Sequence, residues 1–224
     1  MNAPTGLDRA AGLAGQTAHS WESYYAPELT WYRHARNVLH HLPMFRAIWR
    51  LRPRRVLEVG AGSGSHSIFL SYFCSQVVSI DLSERLIERC VRHNRRLHGR
   101  AQFFAMDAFR LAFPAGAFDV VFSQGFFEHF SDDEIARLLD EQPRVARHVV
   151  LSVPNRSYSV QDFGDERLLS REEWEQLLGR LGYRLLVSKD YAAARARFWR
   201  GGRDMYLAVL ERNREGGGHA TRLS

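Results

Sequence analysis

The chain has 224 residues, the size of one ordinary domain with additions, and its 45% hydrophobic and 25% charged content excludes disordered, collagen-like and fibrous classes. Its apolar runs are a few residues long against the roughly 20 that a membrane span needs, and the opening MNAPTGLDRAAGLAGQ lacks the basic and apolar regions of a secretory signal. The net charge of +6 is mild, comes almost wholly from arginine because Lys189 is the only lysine, and does not by itself demand a nucleic-acid partner.

Residues 1–20 and 213–224 are rich in small residues without periodicity, so both are expected to be flexible ends. Residues 21–52 read as an N-terminal helical cap. Trp31, Ala35, Val38, Leu39 and Leu42 have helical spacing, and Pro43 breaks the run before Phe45, Ile48 and Trp49 resume it.

From residue 53 to 212 the pattern alternates between short β-rich runs and helices. VLEVG (56–60) reads as a strand, followed by a glycine loop and a helix from Ser65 to Phe73; VVSID (77–81) is a second strand before a helix from Ser83 to about Leu97. QFFAM (102–106), FDVVFS (118–123) and HVVLSV (148–153) are further strands, and YRLLVS and MYLAVLE close the series. Two helices carry capping-box spacing, Ser131 with Glu134 and Ser170 with Glu173, and Gly182 follows the second as a C-terminal stop. Near-continuous apolar strands alternating with helices predict an α/β fold: a doubly wound, seven-stranded, mostly parallel sheet with the N-terminal helices as a cap. Cys74 and Cys90 form neither a disulfide framework nor a four-ligand zinc site, so a reducing, cytoplasmic setting and no metal are expected.

In such a sheet the ligand sits beyond the carboxyl ends of the strands, which directs attention to the loop after VLEVG. It reads Glu58-Val59-Gly60-Ala61-Gly62-Ser63-Gly64, and glycines at alternate positions let the backbone approach a ligand that any Cβ would push away. A dinucleotide fingerprint needs a third glycine at Ser65 or Ser67, which weakens the pyrophosphate reading. Asp81 ends the second strand, 19 residues beyond Gly62, where a carboxylate can accept both hydrogen bonds of a ribose diol. Its structural alternative, capping the next helix, is better filled by Ser83. Asp107 ends the third strand after Met106, placed either to accept from an adenine amino group or simply to make a turn. Glu58 lies inside an apolar strand, so it needs partners, most simply loop amides or a ligand ammonium.

Taken together these motifs resemble the class I S-adenosylmethionine-dependent methyltransferases, strongly over residues 54–155 and loosely to about 212. The resemblance rests on Glu58, Gly60, Gly62 and Gly64, on Asp81, on Met106 with Asp107, and on FDVVFSQGFFEHF from Phe118 to Phe130. It implies the Rossmann-like methyltransferase fold and S-adenosylmethionine as cofactor. The implied cofactor contacts are at Glu58, Gly60, Ala61, Gly62, Gly64, Asp81, Leu82, Met106, Asp107, Ala108, Ser123 and Gln124. His129 then becomes the candidate general base, since it follows the fourth strand and imidazole exchanges protons near neutral pH. Glu128 is its rival, because GFFEHF is similar to a stretch of the cyclopropane fatty-acid synthases in which the glutamate helps hold a bicarbonate base. A structural histidine at 129 remains the bland alternative.

Acceptor contacts are expected from outside the common core, at Tyr24 and Tyr25 of the cap and at Tyr158 and Asp162 after the fifth strand. A small-molecule acceptor is the leading expectation. The Asn-Pro-Pro-Tyr type loop of base methyltransferases is replaced by Ser123-Gln124-Gly125-Phe126, and no cluster of Asp and Asn suggests a magnesium site. The stripe Arg85, Arg89, Arg92, Arg95, Arg96 and Arg100 admits an RNA acceptor, but no aromatic platform interleaves it, so a solvated helix face is preferred. Other readings are a fatty-acyl acceptor, an NAD-dependent oxidoreductase, or a non-catalytic cofactor-binding interaction module.

Overall fold

Strand side chains point alternately to opposite faces, so a sheet buried on both sides needs apolar residues at nearly every position. The computed structural model, which describes residues 21–159, 166–192 and 203–212, shows this arrangement. Val56, Val120, Val150 and Val209 face one helical layer, while their neighbours Leu57, Val121, Leu151 and Ala208 face the other. The expected flexible ends, together with Asp162 and Phe163, lie outside the described residues.

After residues 21–30 come two helices, α1 (Trp31–His40) and α2 (Leu42–Arg50). The break predicted at Pro43 falls between them, with Pro43 in the first turn of α2, where its missing N–H costs nothing. Then follow β1 (Arg55–Val59), α3 (Ser65–Leu70), β2 (Gln76–Asp81), α4 (Glu84–Arg96), β3 (Gln102–Ala105), β4 (Phe118–Gln124), a 3₁₀ turn at Phe127–His129, α5 (Asp132–Val145), β5 (Ala146–Pro154), α6 (Arg171–Arg180), β6 (Tyr183–Tyr191) and β7 (Met205–Arg212). Both capping boxes form, and Ser83 caps α4 by accepting from Leu86 N at 3.2 Å. The helix expected from Ser65 to Phe73 is shorter. Ser71 Oγ donates back to Ile68 O at 2.7 Å, and this local bond accompanies the end of α3 at Leu70.

The seven strands run in the order β3-β2-β1-β4-β5-β7-β6, parallel except for β7, which pairs antiparallel with both β5 and β6. The order reverses direction between β1 and β4, so a crevice opens beyond their carboxyl ends. The helices α1 to α4 cover one face and α5 with α6 the other. Of the cap, α2 is a true core helix, with Met44, Phe45 and Ile48 all 0% exposed. The helix α1 and the His41 that caps it instead dock through polar side chains: His34 Nδ1 shares a hydrogen bond with Ser65 Oγ at 2.9 Å, Asn37 Nδ2 with His66 Nε2 at 3.2 Å, and His41 Nδ1 with Tyr191 OH at 3.1 Å. Among the described residues no helix is long and apolar enough to cross a membrane.

Candidate active site

The loop after β1 is shaped by backbone alone. Gly60 N and Ala61 N both donate to Ile80 O at 2.9 Å, pinning the loop across the end of β2. Gly60 and Gly62 take φ of +83° and +51°, a region that side-chain-bearing residues avoid. A Cβ on Gly62 would meet the Tyr25 ring and hydroxyl at 2.7 and 2.8 Å, and one on Gly60 would meet Phe126 at 2.9 Å. Behind the loop, Cys90 Sγ donates to Gly62 O at 3.3 Å and His93 Nδ1 to Ser63 O at 3.0 Å. The supporting helix α4 therefore holds the bend from below.

Asp81 turns toward this loop. Its Oδ2 accepts from Gly62 N at 3.2 Å and its Oδ1 from Ser83 N at 3.1 Å. Burial raises its pKa above the usual carboxylate value, and the N–H donors of Ser83 and Gly62 offset part of that rise. Glu58 is 1% exposed and finds side-chain partners where loop amides were expected: Ser79 Oγ donates to its Oε2 at 2.9 Å and His66 Nδ1 stands 3.4 Å from its Oε1. His66 in turn meets Asn37, so a chain of polar contacts runs from the strand acid to α1. Neither His66 nor Asn37 was singled out in the sequence, because their contact depends on how α1 lies on α3.

A strap over residues 21–29 crosses the loop. Its first four residues form a helical turn, and Glu22 ties it to α4: Ser83 Oγ donates to Glu22 Oε1 at 2.8 Å, Arg85 to Oε2 at 3.1 Å and Arg89 to Glu22 O at 3.0 Å. Further along, Arg96 reaches Glu28 Oε2 at 2.6 Å and Leu29 N donates to His93 Nε2 at 3.3 Å. The arginine stripe of α4 is thus only partly a solvated face; Arg85, Arg89 and Arg96 hold the strap. Tyr25 hangs from the strap onto Gly62, and burial, with Tyr24 and the carboxylates of Asp81, Glu128 and Glu58 nearby, raises its phenol pKa far above the ordinary value.

A cavity of about 460 Å³ opens between strap, α1, the glycine loop and the exit of β4. Gly60, Ala61, Gly62, Gln124, Glu128, His129, Tyr24, Tyr25 and Tyr158 all line it. Glu128 is 2% exposed, His129 Nε2 lies 3.9 Å from Glu128 Oε1, and the Trp21 ring meets the His129 ring edge-on at 5.0 Å. The remaining described residues named from the sequence are not among those that line the cavity. Asp81, exposed Leu82 and the stretch Met106, Asp107 and Ala108 sit beyond Tyr25 along the ends of β2 and β3. Asp107 makes the turn that was its bland alternative, its Oδ1 accepting from Phe109 N at 2.9 Å. Gly64 packs on Cys90 and Phe103. Ser123 is fully buried, its hydroxyl has no partner among the described residues, and by strand alternation it faces the α5 and α6 layer with Val121.

The architecture is that of a Rossmann-like methyltransferase: a doubly wound sheet with β7 inserted antiparallel, a glycine bend after β1 and an acid at the end of β2. Residues 56–148 match a family model described as a methyltransferase domain. The chain is 30% identical over 120 residues to a probable S-adenosylmethionine-dependent methyltransferase of Mycobacterium tuberculosis, covering 52% of this chain and 42% of that protein. It is 33% identical over 110 residues to the eEF1A lysine and N-terminal methyltransferase of Bos taurus, covering 47% of this chain and 16% of that one. It thus spans less than half the length of these curated relatives. Among solved structures, the magnesium protoporphyrin IX methyltransferase of Synechocystis with bound S-adenosylmethionine superposes with a TM-score of 0.63 at 16% identity, covering 95% of this chain and 100% of that chain. Over residues 56–148 the chain matches a methyltransferase domain, and in sequence and fold it is similar to the class I S-adenosylmethionine-dependent methyltransferases, whose cofactor is S-adenosylmethionine. The nicotinamide alternative is set aside accordingly: Ser65 and Ser67, in place of its third glycine, are buried in α3, and Ser65 is bonded to His34.

Proposed function

We propose that the protein transfers a methyl group from S-adenosylmethionine to a small-molecule acceptor held in the cavity beneath the strap. The observation that carries this reading is the Asp81 carboxylate bonded to Gly62 N at the glycine bend, with Glu128 on the wall of the same cavity and Glu58 buried at the end of β1. Acidic groups gathered at a backbone bend suit a cationic nucleoside, with Asp81 positioned for ribose hydroxyls and the side of Gly62 open to close approach once Tyr25 moves aside. The cofactor supplies a sulfonium-bound methyl that is already electrophilic.

The protein's part is alignment, exclusion of water and proton removal. Alignment in an enclosed site contributes about 7–11 kcal/mol, and the strap provides the enclosure. His129, with its ring on the cavity wall, accepts the acceptor's proton, and Glu128, 3.9 Å from Nε2, steadies the imidazolium that results. Gln124 at the end of β4 orients the reacting groups, and Tyr24, Tyr25 and Tyr158 supply aromatic walls for the acceptor. A cavity roofed by the chain's own residues favours a metabolite over a folded macromolecule.

Calorimetry with S-adenosylhomocysteine tests the cofactor half: tight binding to the protein and weak binding to Asp81→Ala are expected, and equal affinity in both would remove the proposed mode. Transfer of labelled methyl to metabolite, peptide and RNA pools tests the acceptor half. Label confined to the peptide or RNA pool would overturn the small-molecule reading, and label in none would favour a non-catalytic module.

A further inference from the structure

The wall that α1 contributes to the cavity carries the opposite charge from the carboxylates around the glycine bend. Arg33, Arg36, Asn37 and His40 all line the cavity, at the i, i+3, i+4 and i+7 spacing of one helix face. The orientation of that face is fixed, because His34 and Asn37 hold α1 onto α3 through Ser65 and His66. Arg33 and Arg36 are exposed at the cavity mouth, and neither has a carboxylate within 4.0 Å among the described residues. Among the described residues the Arg33 guanidinium reaches only the backbone oxygen of Glu28, at 3.4 Å, while the Glu28 carboxylate is drawn away to Arg96 at 2.6 Å. Arg36 lies 5.9 Å from the centroid of the Tyr32 ring.

Two guanidinium groups one turn apart repel each other, and each presents a planar fork of donors matched to oxyanions. An anion between them relieves that repulsion and satisfies donors that no carboxylate among the described residues takes up. Resting on the methyl-transfer reading above, we propose that the acceptor carries a carboxylate or phosphate gripped by Arg33 and Arg36, with its nucleophile directed toward His129. Charge then orients the acceptor: its anionic end is repelled by Glu58, Asp81 and Glu128 and drawn to α1, which leaves the opposite end for the methyl group.

The experiment uses the full chain saturated with S-adenosylhomocysteine at low ionic strength, titrated calorimetrically with inorganic phosphate in one arm and benzoate in the other. At least one anion is expected to bind, to lose at least about tenfold in affinity in the Arg33→Gln/Arg36→Gln double variant, and to recover partly in Arg33→Lys/Arg36→Lys. Which anion binds tells phosphate from carboxylate. S-adenosylhomocysteine should bind the double variant within about twofold of the parent, which also reports that it is folded. No anion binding to the parent, or equal binding to the double variant, overturns the proposal. A large loss of S-adenosylhomocysteine affinity in the double variant also overturns it, since the arginines would then serve the cofactor's own carboxylate. Failure of the parent itself to bind S-adenosylhomocysteine would instead sink the methyl-transfer reading beneath it.

Discussion

The two halves of the cavity are held together by different physics. The half beyond β1, β2 and β4 is made of backbone: amides of Gly60 and Ala61 on Ile80 O, glycines at positive φ, and strands whose apolar residues are close to fully buried. The half formed by the strap and α1 is held by side chains, namely Glu22 and Glu28 on the arginines of α4, and His34, His41 and His93 on Ser65, Tyr191 and the loop. A backbone bend cannot be altered without rebuilding the strand–loop–helix unit, whereas each side-chain tether is separately removable. Under the proposed function the backbone-built half is the cofactor floor, the side-chain-tethered half is a roof, and both cofactor and acceptor enter when the roof opens.

If the division is real, substitutions in the floor and in the roof should have different signatures. The largest effect is expected where the halves meet. His129→Ala should lower kcat by about 10²- to 10⁴-fold while calorimetric affinity for S-adenosylhomocysteine stays near that of the parent; a fall in affinity alone would make His129 structural. In the floor, Asp81→Ala removes charge-assisted bonds worth about 1.5–3 kcal/mol, or roughly 10- to 150-fold in cofactor affinity. Because burial holds the Asp81 carboxyl above its ordinary pKa, parent affinity should decline as pH falls through that raised value. The affinity of Asp81→Asn should be flat over the same range, and parallel pH profiles would separate Asp81 from the ligand.

In the roof, acid should act first. Burial pushes His34 down from 6.5 to about 4, His41 well below 6.5 and His93 also down, with His66 and His40 facing His41 and adding to the shift. The unfolded chain therefore binds protons that the docked histidines refuse. Docking is complete above pH 6.5 and weakens as pH falls toward 4, by up to about 1.4 kcal/mol per pH unit for each such proton. Amide exchange at pH 7 and pH 5 should show residues 21–41 losing protection ahead of β1 and β4; uniform loss would erase the distinction between the halves. The smallest effect is expected from Glu28→Ala, which removes a solvent-exposed pair with Arg96 worth about 0.2–1 kcal/mol. Exchange in the strap should rise slightly with the melting temperature unchanged.

Much of the floor was readable in one dimension. Every predicted strand is present, six of them within two residues at each end and β6 running three residues past Ser188, and Ser131, Ser170 and Ser83 cap the helices that their spacing assigned them. These features depend on residues close in sequence or on a two-residue period, so they survive without knowledge of the neighbours. The roof was readable only as helices. Glu22 meets Arg85 and Arg89 across more than 60 positions, and His41 meets Tyr191 across 150. No local pattern marks such pairs. The arginine stripe of α4 shows the limit well: its spacing is plain in the sequence, yet which arginines would find the strap depended on where the strap was laid.

Local periodicity, turn chemistry and the order of motifs were sufficient to specify a doubly wound sheet, a glycine bend after β1 and an acid at the end of β2, because each arises from steric and hydrogen-bonding rules acting over a few residues. The rest required the packed chain. That Glu58 would bind Ser79 and His66, that Tyr25 would cover Gly62, and that Arg33 and Arg36 would face the cavity follow from the docking angle of α1 and the path of the strap. Those are set by contacts between residues far apart in the chain, whose energies exist only once both partners are in place.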